Sequence, residues 1–274
     1  MSTLKTNFDN TIRKKFGKTL KALENAFQEF EIDYYLIGAY VRDVWTDHIK
    51  ILPDRRATRD IDFAIYINEY KQYENLKLYL IRAAGFKEHK EPYRLLSPDN
   101  NTIDLIPFGG VEQNGEVLIK GAKVVELSVF GTKEVTEKAK VIEGNFKVIT
   151  LPGLAILKLI TWHETDDRAK DLEDFFYILQ NYADIATEDL YLEENLHLLD
   201  EYDEVRFSGA RLLGREMLKI TIEMPALTNK VHYILSLLVK DHNPKEIDEM
   251  YDADKQDLQF LKLKLVKELI LELK

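Results

Sequence analysis

RRATRDIDFAIYI, residues 55–67, places Asp60 and Asp62 at the head of a run that otherwise alternates like a buried strand. Ile61, Phe63, Ile65 and Ile67 fall on one face, and Asp60, Asp62, Ala64 and Tyr66 on the other. Two like charges at the mouth of a strand mean either a solvated edge or a bound cation. With 48 acidic residues in 274, chance alone supplies roughly eight pairs of acids two residues apart. The pair therefore decides nothing until its neighbours are read.

Side chains two apart on a strand share a face, with Cα atoms roughly 6–7 Å apart, so their carboxylates can converge. Converging carboxylates repel unless a cation compensates them. Mg²⁺ suits such a place, because it takes one or two carboxylates, keeps several waters and binds substrate phosphates. A third acid, Asp104, lies in NTIDLIPF, a second β-prone run. Burying it alone is costly, and a neighbouring strand that set it beside Asp60 and Asp62 would complete a three-carboxylate site. PYRLLSPDNNTIDLIPF (92–108) reads as a hairpin around Pro-Asp-Asn-Asn. LIGAYVRD (36–43) runs from a short strand through Gly38 into a helix. The first N–H groups of such a helix, at Gly38 and Ala39, favour an anion, and Arg42 one turn on can reach the same charge. The same junction is also ordinary turn chemistry.

The chain is 45% hydrophobic and 31% charged over 274 residues, enough for one large core or two smaller ones. It has no cysteine, which excludes disulfides, thiolate zinc sites and cysteine nucleophiles. No apolar run reaches the roughly 18 residues of a membrane span, and the first residues lack the apolar core of a signal peptide. A cytoplasmic protein with no membrane association is expected. A formal net charge of −10 argues against a general nucleic-acid coat, although Arg55, Arg56 and Arg59 cluster beside the acidic pair. The six histidines show no metal-ligand spacing.

Helices are expected over 8–30, 39–49 and 70–84, strands at 34–38 and 61–67, and further strands between Val117 and Ile149. From Leu151 the pattern turns helical: 153–163, 167–181, 187–199, 204–222, 225–240 and 246–273. An α+β domain over 1–150 and a helical domain over 151–274 that closes the active-site cleft follow as the expected organisation. One residue stands out in the second part. Lys158 sits among Ala155, Ile156, Leu157, Leu159 and Ile160, where a lysine either snorkels out or meets an anion. Asp167, Asp171 and Asp174 recur on one helical face.

Gly38, then Asp60-Ile61-Asp62, then Asp104, resembles the polymerase-β-like nucleotidyltransferase superfamily. LPGLAILKLITWHETDDRAKDLEDFFYIL (151–179) is similar to the downstream motif of the AbiEii/AbiGii toxin-type members, matched at Lys158, Arg168, Lys170, Asp171 and Asp174. The resemblance covers roughly residues 33–180. One position departs: Ala39 stands where the superfamily has Gly or Ser, which keeps a backbone N–H and loses a hydroxyl. The resemblance implies a mixed sheet flanked by helices, followed by a helical C-terminal domain. It further implies an enzyme that moves a nucleoside monophosphate from an NTP to an acceptor hydroxyl. Asp60, Asp62 and Asp104 would hold Mg²⁺, or Mn²⁺, and act on the acceptor. Gly38, Ala39, Arg42 and Arg59 would bind the nucleotide, and Lys158 and Asp171 would contact phosphate. RNA, such as a tRNA end, is the implied acceptor and an antitoxin protein the implied partner. Two alternatives share these residues: an enzyme that modifies a cationic small molecule, as antibiotic-modifying members do, and a non-catalytic nucleotide-binding or antitoxin partner.

Overall fold

The computed structural model describes residues 2–53, 58, 60–143, 146–166, 168–242 and 258–273. The chain divides into two compact units, one of residues 1–50 and 54–154, the other of 51–53 and 155–274.

In the first unit, α1 (Ser2–Phe8) continues through a π-helical turn at Asp9–Arg13 into α2 (Lys14–Glu29). The helix expected over 8–30 therefore starts earlier and is not uniform. Phe8, Ile12, Phe16 and Leu20 are all buried and four residues apart. An α-helix advances 100° per residue, so such a series drifts about 40° per step. The wider turn, with a departure from helical angles at Phe16 (φ −123°, ψ 16°), brings them back to one face.

The sheet follows. Its parts are β1 (Tyr34–Ile37), α3 (Ala39–Thr46), β2 (Asp60–Ile67), α4 (Tyr70–Arg82), β3 (Lys87–Glu88), β4 (Arg94–Leu96) and β5 (Thr102–Gly109). Next, β6 (Glu116–Lys120) and β7 (Val124–Ser128) form a separate hairpin, then come α5 (Thr132–Glu137), β8 (Lys140–Glu143) and β9 (Phe146–Val148). Helix α5, between the later strands, was not expected. The order is β3-β4-β5-β2-β1-β9-β8. Pairs β2–β5 and β1–β9 are parallel and the others antiparallel, so the sheet is mixed.

The apolar half of the alternation in β2 is fully buried: Ile61, Phe63, Ile65 and Ile67 are all at 0% exposure. Phe27 of α2 stacks on Tyr34 at 4.5 Å between centroids, and Phe63 meets Phe146 edge-on at 6.0 Å. From α4, Tyr73 donates its hydroxyl to the Leu105 carbonyl. One sheet face thus carries the core, which leaves the other to present Asp60 and Asp62.

The second unit takes α6 (Leu151–Glu164) from Ala155 onward, α7 (Ala169–Ile185), α8 (Thr187–Leu190), α9 (Leu196–Asp200), α10 (Val205–Thr221), α11 (Pro225–Leu238) and α12 (Leu258–Leu271). The helix expected over 187–199 is two short ones. Buried Asn195 donates to the Asp189 carbonyl across the break, where the side chain replaces a helical hydrogen bond. Of the helix expected over 246–273, residues 246–257 lie outside the described residues. Helix α10 packs closely on two neighbours. A Cβ at Gly209 would sit 2.5 Å from the Ala183 nitrogen, and one at Gly214 would sit 2.6 Å from the Leu269 carbonyl oxygen. Arg211 and Arg215 both reach Glu272, which ties α10 to the end of the chain. No helix among the described residues is long and apolar enough to cross a membrane.

Candidate active site

Register decides the site. Ile37 of β1 pairs with Asp62 of β2, Asp62 with Asp104 of β5, and Asp104 with Arg94 of β4. Paired residues on adjacent strands share a face, so Asp62, Asp104 and Arg94 form one row across the sheet. Asp60, two residues before Asp62, lies on the same face one step away. The parallel pairing of β2 with β5 sets the third acid directly beside the pair.

Arg94 is a cation that these acids meet among the described residues, and sequence reading missed it. Its Nε donates to Asp104 Oδ1 at 2.7 Å and its Nη2 to Asp104 Oδ2 at 2.8 Å, while Nη2 also reaches Asp60 Oδ2 at 3.4 Å. Charge-assisted forks of this kind are the strong ion pairs. Burial pushes the Asp104 carboxyl up, against the pull of Arg94, and the pair with Asp104 holds the guanidinium above its ordinary value. The signal was in the hairpin. A loop over 97–101, with Asn100 in the left-handed region (φ 58°) and Ser97 N–H donating to the Asn101 carbonyl, sets Arg94 opposite Asp104.

The three acids differ in access. The Asp60 side chain is 41% exposed and that of Asp104 10%. Asp62 packs against the chain at Gly38. A Cβ built there would lie 1.9 Å from Asp62 Oδ2, and Gly38 has φ +73°. Glycine is required on both counts. Gly38 is also the N-cap of α3, which starts at Ala39, so the helix start and the Asp62 carboxylate meet at one residue. Arg42 is 1% exposed, and its Nε and Nη2 each lie 3.2 Å from Asp43 Oδ1. Arg55, Arg56 and Arg59 lie outside the described residues.

Within the second unit, Lys158 does not snorkel. Its Nζ lies 2.6 Å from Asp171 Oδ1 and 2.8 Å from Asp174 Oδ2, with side-chain exposures of 12%, 8% and 3% for the three residues. Burial pulls the ammonium down, but the charges of Asp174 and Asp171 outweigh it and hold it above the usual lysine value. Arg168 approaches Asp171 Oδ2 at 3.5 Å. Asp167 lies outside the described residues.

The carboxylates at the sheet site offer only oxygen donors, which suits Mg²⁺ or Mn²⁺. Among the described residues no three His, Asp or Glu side chains already stand together as a metal cage. Asp60 and Asp62, on one strand face, fit an ion that keeps most of its waters.

The family model described as nucleotidyl transferase AbiEii toxin, type IV toxin–antitoxin system, matches residues 48–253. That span holds Asp60, Asp62, Arg94, Asp104, Lys158 and Asp171, and starts after Gly38. No curated protein matches the chain. A crystal structure of a candidate nucleotidyltransferase from H. pylori is similar at 13% identity and a TM-score of 0.35, over 93% of each chain. With three quarters of its length matched and the acidic pair inside the match, the chain belongs to the AbiEii nucleotidyl transferase toxin family of type IV toxin–antitoxin systems.

Proposed function

We propose that this nucleotidyltransferase moves a nucleoside monophosphate from an NTP to an acceptor hydroxyl on RNA, such as a tRNA end, and releases pyrophosphate. The observation that carries the reading is the row that Asp62, Asp104 and Arg94 make across the sheet, with Asp60 beside it and Gly38 against Asp62. Asp60 and Asp62 would hold Mg²⁺, or Mn²⁺, and Asp104 is the third carboxylate of the set. A divalent ion there supplies countercharge for the phosphates and activates the attacking oxygen. The α3 start at Gly38 and Ala39 receives the terminal phosphates through backbone N–H groups. In the helical unit, Lys158 contacts phosphate, and Asp171 orients that lysine. Arg55, Arg56 and Arg59, just before β2, guide the RNA. An antitoxin encoded nearby opposes the activity.

Incubation with each α-labelled NTP, Mg²⁺ and total cellular RNA tests this. A discrete labelled RNA is expected, lost on Asp60→Asn/Asp62→Asn and reduced on replacement of the three arginines by glutamine. The net charge of −10 favours a second reading, a cationic small-molecule acceptor. Pyrophosphate release on adding such a compound, with no labelled RNA at any salt concentration, would replace the RNA reading.

A further inference from the structure

We propose that Arg94 stands in place of a second metal ion. It anchors on Asp104 and presents a fixed positive charge beside Asp60, which leaves Asp60 and Asp62 as the protein ligands of a single divalent cation. This rests on the metal reading given under Proposed function and sharpens it.

Three observations support the assignment. Both oxygens of Asp104 are engaged by one guanidinium, at 2.7 and 2.8 Å, so Asp104 would have to leave Arg94 to turn towards an ion. Arg94 is held by backbone register rather than by a pliable loop. It pairs with Asp104 across β4 and β5, and the next residue, Leu95, is buried opposite Ile103. Finally, access is graded. The Asp60 side chain is 41% exposed, whereas that of Asp104 is 10%. An ion that arrives with its waters, as Mg²⁺ does, meets Asp60 first and has little room at Asp104. Unlike a second metal ion, a guanidinium cannot dissociate and stays protonated. The site would keep that part of its countercharge at any metal concentration.

Mn²⁺ binding to the full chain, read by the electron paramagnetic resonance of the free ion, tests the assignment without any turnover. The wild-type chain should bind one Mn²⁺. Asp60→Asn and Asp62→Asn should each weaken it at least tenfold, whereas Asp104→Asn should leave its affinity within twofold. Arg94→Met releases Asp104 and should admit a second Mn²⁺, lost again in Arg94→Met/Asp104→Asn. Because Arg94→Met leaves Asp104 buried without its partner, the double variant and Asp104→Asn keep the test decisive if the single variant does not fold. Two Mn²⁺ ions on the wild-type chain, or a tenfold loss in Asp104→Asn, would overturn the place given to Arg94 alone. No Mn²⁺ uptake by any of these chains would overturn the metal reading as well.

Discussion

Each unit of this protein holds a cation between two carboxylates, and the two versions are built differently. In the sheet, Arg94 spans Asp104 and Asp60, which come from strands β5 and β2. In the helical unit, Lys158 of α6 spans Asp171 and Asp174 of α7, three residues apart on one helical face. The charge pattern is the same and the surroundings are not. The sheet site keeps one acid open to water at 41% exposure, while every member of the helical cluster is at 12% or below. An acid open to water can take up a metal or a phosphate-bound ion without unfolding anything, whereas a buried pair offsets its desolvation only while both partners stay, and costs most when half of it is removed. The difference teaches that residue type alone does not decide whether such a cluster is open to water or closed. Packing does.

The comparison can be broken from the helical side first. Lys158→Met keeps the apolar stem but leaves Asp171 and Asp174 buried without their cation. The expected cost is about 3–5 kcal/mol of stability, read as a large drop in denaturation midpoint, and partly recovered in Lys158→Met/Asp171→Asn/Asp174→Asn. A Lys158→Met chain that melts like wild type yet fails to label acceptor would show that the lysine serves the phosphate and not the fold. Gly38→Ala probes the seam where α3 starts. A methyl group there meets the Asp62 carboxylate in a left-handed backbone conformation, so stability should fall by about 1–3 kcal/mol, with a loss of triphosphate-dependent thermal stabilisation. If that stabilisation survives, the α3 start does not receive the phosphates. The smallest effect on stability is expected for Asp60→Asn. Its side chain is exposed and its contact with Arg94 is the longest of the three at 3.4 Å. Denaturant unfolding should shift by no more than about 1 kcal/mol while nucleotidyl transfer is lost. A larger stability loss would place Asp60 with the structural acids and dissolve the contrast.

How far these features were legible follows from what each one depends on. The strand Asp60–Ile67 was visible because a period of two in apolar residues is a local property, and so was the hairpin, whose turn residues lie next to each other in the chain. Asp60 and Asp62 could be singled out on those grounds, and Asp104 by its place in the second β-prone run. The parallel pairing of β2 with β5 was out of reach, because α4 and the hairpin separate them and no local signal encodes a non-local register. Arg94 was missed for the same reason. It acquires meaning only when hairpin register and inter-strand pairing put it at the end of the row. The π-helical turn at Asp9–Arg13 was not read, because the four-residue spacing of Phe8, Ile12, Phe16 and Leu20 also suits an ordinary amphipathic helix.

By itself the sequence determined the elements that depend on neighbours along the chain: the alternating strand, the turn at 97–101, the glycine before α3, and the acids at strand and helix spacing. Its family motifs carried nucleotidyl transfer. Only the tertiary structure decided which charges meet. It placed Arg94 on Asp104 and Asp60, and Lys158 on Asp171 and Asp174. Charged side chains are brought together by backbone pairing and helix packing, which the burial of apolar faces drives, and the charges follow where that burial puts them.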